Sequence, residues 1–254
     1  DRLNSQLNSQ TREEKDRFSA DISFVGSMYH KNSYDDIKDK LPPYLRGYFD
    51  AAMLAQLNIY GDNIIDELLT VDILKQLSEF VDFRQDKRAF SDIRLVFEST
   101  FLGFKLANIE RVRTLNLLAK KNKVALYTDE QDTSLINVDF KGTVDYMNDM
   151  PKVFNNSSIN LNMTIRNIRT GIPLRVWDIL GAGGFLLTNY QIELTDYFKN
   201  EESIVYYEDM YDCCKKAEYY LLHEDKRRQI AAKGHELVSK KHSYINRVKY
   251  ILDV

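Results

Sequence analysis

Six short apolar runs punctuate the chain, and what lies between them constrains the fold more than any other feature. They are ISFV at 22–25, VALYT at 124–128, VDFKGTV at 138–144, INLNM at 159–163, GFLLTN at 184–189 and SIVYY at 203–207. Short apolar runs of this length, bounded by helical patterns, read as strands of a sheet covered on both faces. Each of the last five is separated from the next by a segment suited to a helix or a short connection, which predicts a parallel sheet covered by helices. Residues 101–210 therefore read as a doubly wound unit, and the fold class expected is α/β with a Rossmann-like parallel sheet.

The stretch 33–121 lacks a strand signal. YFDAAMLAQLNIYG and IIDELLTVDILKQLSEFV space their apolar residues three and four apart, and FLGFKLANIERVRTLNLLAKK does so over five turns. We read 33–100 as a helical insertion after the first strand and the following run as the first crossover helix. Behind the last strand, Met210, Cys213, Ala217 and Leu221 form one stripe and Ile230, Leu237 and Val238 another. Residues 225–254 are thus expected to be C-terminal helices, the last of them HSYINRVKYILDV. The whole of 21–254 reads as one Rossmann-like domain. Residues 1–20 are polar, with almost no apolar periodicity, and read as an N-terminal arm or the remnant of a preceding domain.

Composition narrows the partners. The 254 residues carry 35 basic and 38 acidic side chains, a net charge of −3 that offers no bulk attraction for nucleic acid, so any nucleotide bound should be small. With 44% hydrophobic and 29% charged residues the chain has the balance of a globular protein. No run approaches the roughly 18 apolar residues of a transmembrane helix, and no signal-peptide core opens the chain, so a cytoplasmic location is expected. Cys213 and Cys214 are adjacent and are expected to be reduced and structural. The four histidines, His30, His223, His235 and His242, show no paired ligand spacing and there is no Asp-X-Asp, so no metal site is expected. No Ser-His-Asp or Cys-His set is legible either.

The segment GIPLRVWDILGAGGFLLTNY, 171–190, holds a glycine cluster that suggests a phosphate loop. The order of elements argues otherwise. Pro173 suits the first residue of a helix, Leu174, Trp177, Ile179 and Leu180 supply a buried face, and Gly181, Gly183 and Gly184 then stop the helix before a strand. Phosphate loops run strand, glycines, helix, because the free N–H groups lie at a helix N-terminus. That end is the one near Gly171, Ile172 and Leu174, where Arg166, Arg169 and Arg175 crowd a positive dipole. Either an anion offsets this crowding, or the loop is solvated and Arg175 pairs with Asp178 at i, i+3 spacing. Asp178 is also placed to accept hydrogen bonds from a ribose. Asn160 and Asn162 alternate with apolar positions on a central strand, and Asn162 and Thr164 lie nearest the end where open α/β sheets bind ligands.

Two long runs, INLNMTIRNIRTGIPLRVWDILGAGGFLLTNYQIEL and YYLLHEDKRRQIAAKGHELVSKKHSYINRVKYIL, with DISFVGSMY and VDFKGTVDYMNDMPKVF, resemble the donor-binding half of the CgeB-like (spore-maturation) glycosyltransferases. The resemblance covers nearly everything from residue 21 onward. It implies the C-terminal domain of a GT-B fold holding a nucleotide-diphosphate sugar, usually uridine-linked, with the acceptor domain missing on the N-terminal side. Gly171, Ile172 and Pro173, with Arg169 and Arg175, would hold the diphosphate and Asp178 the ribose. Gly26 and Ser27 resemble the glycine loop that approaches the diphosphate, with Lys31 beyond it either a basic partner or merely solvated. The base would lie near Tyr127 and the GTVDY segment, where Tyr146 is either a ligand contact or a core aromatic. The wider superfamily often has a second acidic residue eight positions before the one matched by Asp178, a position that is Thr170 in this sequence. His242 reads as structural.

The implied chemistry is displacement at the anomeric carbon, the diphosphate being stabilised by helix-end amides and arginine without a cofactor or metal. A catalytic base, if the reaction inverts, usually comes from the N-terminal half, so no catalytic residue is assigned. The alternative is a non-catalytic nucleotide-sugar-binding or scaffold module that kept the fold. A nicotinamide-dependent oxidoreductase is disfavoured by the absence of G-x-G-x-x-G after a first strand.

Overall fold

The computed structural model describes residues 2–81 and 92–252, so residues 82–91 of the expected helical insertion and the last two of the final helix lie outside the described residues. Each apolar run becomes a strand: β1 Ala20–Val25, β2 Val124–Tyr127, β3 Asp139–Phe140, β4 Ser157–Asn162, β5 Leu186–Asn189 and β6 Val205–Tyr207. They form one sheet in the order β3-β2-β1-β4-β5-β6, parallel throughout. That is the strand order of dinucleotide-binding sheets, with its switch point between β1 and β4. β2 and β5 are buried at all four positions, as a parallel sheet covered on both faces requires. β3 is shorter than expected because Gly142 turns the chain at φ +73° two residues after Phe140.

The chain divides into two compact units. The first comprises Asp1–Ser27, Thr114–Met163 and Gly171–Val254, and the second Met28–Arg113 with Thr164–Thr170. The first contains the sheet and a core that includes Phe18, Val25, Tyr127, Phe154, Ile179 and Leu186. Residues 1–20, expected as an arm, form helices Arg2–Asn8 and Arg12–Phe18 within this unit. Thr11 and Glu14 close a capping box at the second helix, Glu14 pairs with Lys152 at 2.5 Å, and Phe18 is buried in the core.

Two polar ladders cross the sheet interior. Ser23 and Asn160 are register partners on β1 and β4, and the Ser23 hydroxyl donates to Asn160 Oδ1 at 2.8 Å. Asn162 and Thr188 are partners on β4 and β5, and the Asn162 amide donates to Thr188 Oγ1 at 2.9 Å. Buried amides placed in a strand must be satisfied there, since an unmet one costs about 1–3 kcal/mol. Helices Met210–Leu222, Glu224–Lys241 and Tyr244–Leu252 finish this unit. In Met210–Leu222 the buried face is Cys213, Ala217 and Tyr220, so Tyr220 takes the place expected for Leu221. In Glu224–Lys241, Gly234 permits close approach, because a Cβ there would stand 2.4 Å from the Ser203 carbonyl oxygen.

The second unit contains, among its described residues, helices and no strand. Ser33–Ile37, Pro43–Gln56, Ile65–Leu68 and Val71–Ser78 surround a core that includes Tyr34, Leu45, Phe49, Met53, Phe97 and Leu102. A π-helical segment, Phe97–Gly103, leads into helix Phe104–Leu118. The periodicity had suggested plain α-helix from Phe101. Gly103 permits the wider turn, since a Cβ at that position would lie 3.0 Å from the Glu98 carbonyl. Among the described residues no helix is long and apolar enough to cross a membrane.

Candidate functional site

The helix Leu174–Gly181 is the centre of the candidate site, and its two ends have different chemistry. Its buried face is Val176, Ile179 and Leu180. Leu174, expected on that face, is instead 65% exposed, because at 100° per residue it points opposite the arc through 176, 179 and 180. Fully burying each of those three side chains stabilises the fold by roughly 1.5–3 kcal/mol. At the C-terminal end the Gly183 N–H donates to Leu180 O and the Gly184 N–H to Ile179 O, at 3.0 and 2.9 Å. With Gly183 at φ +76°, this is a Schellman cap. The glycine cluster is therefore a helix stop. Gly184 has a further duty, since a Cβ on it would stand 2.5 Å from the Asn160 amide nitrogen and 2.6 Å from Phe154 O.

The N-terminal end is open. Pro173 is the N-cap, one residue earlier in role than expected, and no side chain caps the helix. Gly171 is at φ +88°, a conformation that costs glycine little. Its backbone N–H donates to a carboxylate oxygen of Glu193. Ile172 packs against the core of the first unit. An amide that already binds a carboxylate, beside the positive end of a helix, can bind an anion.

One turn along, Arg175 Nη1 lies 3.4 Å from Asp178 Oδ2, touches the Met150 sulfur and stands 5.6 Å over the Phe154 ring. The Tyr146 hydroxyl donates to Asp178 Oδ1 at 2.9 Å. Burial pushes the Asp178 carboxyl above the usual carboxylate range, the Tyr146 hydrogen bond and the Arg175 charge pulling the other way. Tyr146 is 47% exposed as a residue, but its hydroxyl is the end turned to Asp178. Burial, then the hydrogen bond to Asp178 and its charge, push that hydroxyl up to about 12. Arg175, Asp178 and Tyr146 are thus brought together.

The remaining candidates are placed as follows. Gly26 follows β1, its N–H donating to Tyr127 O at 3.0 Å, and Ser27 beside it is exposed. Tyr127 is 4% exposed and belongs to the core of the first unit, where burial pushes its hydroxyl up to about 12. Asn162 is buried with its amide on Thr188. Thr164 and Arg169 belong to the second unit. Thr164 is buried there, and Arg169 donates to Asn63 O at 3.2 Å and to Asp66 Oδ2 at 3.0 Å. Arg166 pairs with Glu110 at 2.8 Å, both nearly fully buried, and lies 3.6 Å over the Tyr60 ring. His242 caps helix Glu224–Lys241 and packs 5.0 Å from Trp177. Glu193, which contacts the Gly171 N–H in the candidate site, is the residue there that sequence reasoning missed. Its one signal was an acidic side chain just past β5, at the strand ends where ligands of such sheets gather. Among the described residues no group of three or more His, Cys, Asp or Glu side chains could hold a metal.

No curated protein matches the chain. Solved structures with a similar course include TarM of S. aureus in a complex with UDP, at 13% identity over 56% of this chain and 31% of that one, TM-score 0.46. HepE of Anabaena in complex with UDP-glucose is similar at 12% identity over 56% of this chain and 44% of that one, TM-score 0.45. T4 phage BGT in complex with UDP-glucose is similar at 14% identity over 66% and 50%, TM-score 0.42. The chain thus spans about a third of TarM and half or less of the other two. A family model described as glycosyl transferase-like matches residues 108–253, which takes in β2 to β6, the helix Leu174–Gly181 and the C-terminal helices. More than half of the chain carries that match, and the chain belongs to the glycosyl transferase-like family.

Proposed function

We propose that the chain is the donor-binding half of a GT-B glycosyltransferase of the CgeB-like group, taking a UDP-sugar and passing the sugar to an acceptor held by an N-terminal domain. The observation that carries this reading is the helix Leu174–Gly181 inside the family match, with an uncapped N-terminus and an arginine and an acid on its next turn. In this reading the amides near Gly171 and the Arg175 guanidinium take the diphosphate. Both stabilise the negative charge that grows on the leaving group as the glycosidic bond breaks, so no metal is needed for that step. Asp178 accepts hydrogen bonds from the ribose hydroxyls. Gly26 and Ser27 close on the diphosphate from the end of β1. Work of this kind belongs in the cytoplasm, where nucleotide sugars are made.

Calorimetric titration with uridine and guanosine diphosphates, and with nicotinamide dinucleotides as a control, tests the proposal. Binding of UDP in preference to the dinucleotides is the expected result, and no diphosphate binding at millimolar concentration would sink it. A second reading, a binding module without turnover, is favoured by Thr170, which stands where the superfamily has its other acidic residue. Release of UDP from UDP-glucose, or its absence despite tight UDP binding, separates the two.

A further inference from the structure

Both anchor points of the proposed donor site are already occupied by side chains whose chemistry copies the ligand. Gly171 N–H donates to a carboxylate oxygen of Glu193, an anion where a phosphate oxygen would be. Asp178 accepts from the Tyr146 hydroxyl at 2.9 Å, an alcohol where a ribose hydroxyl would be. The two stand-ins come from separate places. Tyr146 belongs to the turn held by Asp145, whose carboxylate accepts from the Met147 and Asn148 N–H groups, and Glu193 lies just past β5. We propose that the free protein is self-occupied, Glu193 and Tyr146 holding the diphosphate and ribose anchors until the donor exchanges with both.

The inference rests on the donor reading above and adds its regulation. Exchange is feasible because neither stand-in is deeply buried, Tyr146 being 47% exposed and Glu193 part-exposed. It is required at Gly171, because a diphosphate and a carboxylate cannot share one N–H without strong like-charge repulsion. At Asp178 the incoming hydroxyl replaces an equivalent donor, so the Arg175 contact on the other oxygen can persist. The donor's apparent affinity is then reduced by the fraction of molecules in which the anchors are free. A donor lacking either the diphosphate or the ribose hydroxyls displaces only one stand-in and so meets only one of the two competitors.

Titration of the full chain with UDP, followed by calorimetry and by the fluorescence of Trp177, the single tryptophan and a neighbour of both Arg175 and Asp178 in the helix, tests this. Tyr146→Phe keeps the ring and removes the hydroxyl, and Glu193→Ala removes the carboxylate. Each is expected to tighten UDP binding by roughly three- to tenfold, and the double variant by about the product, as loss of a competing hydrogen bond predicts. Melting temperatures confirm that the variants fold. Wild-type binding with equal or weaker binding in both variants overturns the self-occupied site and leaves the donor reading standing. Binding by the double variant alone supports both, and binding by neither overturns both. If Tyr146 instead stacks on the base, Tyr146→Phe leaves affinity unchanged and Tyr146→Ala lowers it, which also overturns the proposal.

Discussion

Tyr146 and Asp178, 32 positions apart in the chain, meet through a 2.9 Å hydrogen bond from phenol to carboxylate. The contact joins the turn after β3 to the helix after β4, which follow strands on opposite sides of the β1–β4 switch point in the strand order. It leaves Asp178 with one oxygen on Tyr146 and the other facing Arg175. A carboxylate arranged this way is held in one rotamer, with the Tyr146 hydroxyl in the place an incoming alcohol would take.

If Asp178 receives the ribose, its removal should cost affinity far more than stability. Asp178→Ala is expected to weaken UDP binding by about ten- to a hundredfold, the worth of hydrogen bonds to a charged group. Arg175→Ala should do the same through the diphosphate. Calorimetry for affinity and thermal melting for stability check this, and a large fall in melting temperature with unchanged affinity would mark the pair as structural.

The raised Asp178 carboxyl makes a separate prediction about pH. A carboxyl whose folded value lies above its unfolded one, about 3.9, favours folding while protonated. That contribution is complete below the unfolded value and lost as pH rises through the folded one. Ionised Asp178 at neutral pH therefore weighs against stability, burial being the largest cause. Asp178→Asn is expected to melt at or above the wild-type temperature at pH 7, with the difference closing as pH falls below about 4. Lower stability of the Asn variant at pH 7 would show that Arg175 outweighs burial.

What the sequence made legible and what it hid follow from the range of the interactions. Strands such as β2 and β5 were legible because burial on both faces imprints a short apolar run on them, and the glycine stop because Gly183 needs a positive φ that its neighbours do not supply. The Arg175–Asp178 pair was legible from its i, i+3 spacing. The face of its helix was misjudged at Leu174, because eight residues leave too few turns for periodicity to set the phase. Tyr146 on Asp178 and Glu193 on Gly171 join residues 32 and 22 positions apart, and no local pattern encodes such meetings. Asn162 and Thr164 read as cleft contacts from their place nearest the end of the strand, but the bond from the Asn162 amide to Thr188 and that from the Asn160 amide to the Phe185 carbonyl join residues far apart in the chain and left no local pattern.

Asn160 should accordingly behave as part of the frame. Its side chain accepts from Ser23 and donates to Phe154 O at 2.9 Å and Phe185 O at 3.3 Å, all buried. Asn160→Ala leaves those groups without that partner and is expected to cost roughly 2–4 kcal/mol in chemical denaturation. A loss below about 0.5 kcal/mol, the range of ordinary surface substitutions, would show that the amide carries little of the fold.

The three glycines of the helix stop should separate by what each one meets. Gly181 has open space around a would-be Cβ and lies in the last turn of the helix, so Gly181→Ala is expected to be neutral or to stabilise by up to about 1 kcal/mol. Gly183 is also roomy, its nearest neighbour being the Asn155 amide at 3.7 Å, but it sits at φ +76°, so Gly183→Ala should cost about 1 kcal/mol or more through the backbone alone. Gly184 has no positive φ, and its methyl would collide with the Asn160 amide and the Phe154 carbonyl, so Gly184→Ala should cost about 1–3 kcal/mol or more by overpacking. Denaturant midpoints in the order 181, 183, 184 are the expected outcome, with UDP affinity unchanged in Gly181→Ala. Were the cluster instead a phosphate loop, Gly181→Ala would lower affinity while leaving the midpoint in place.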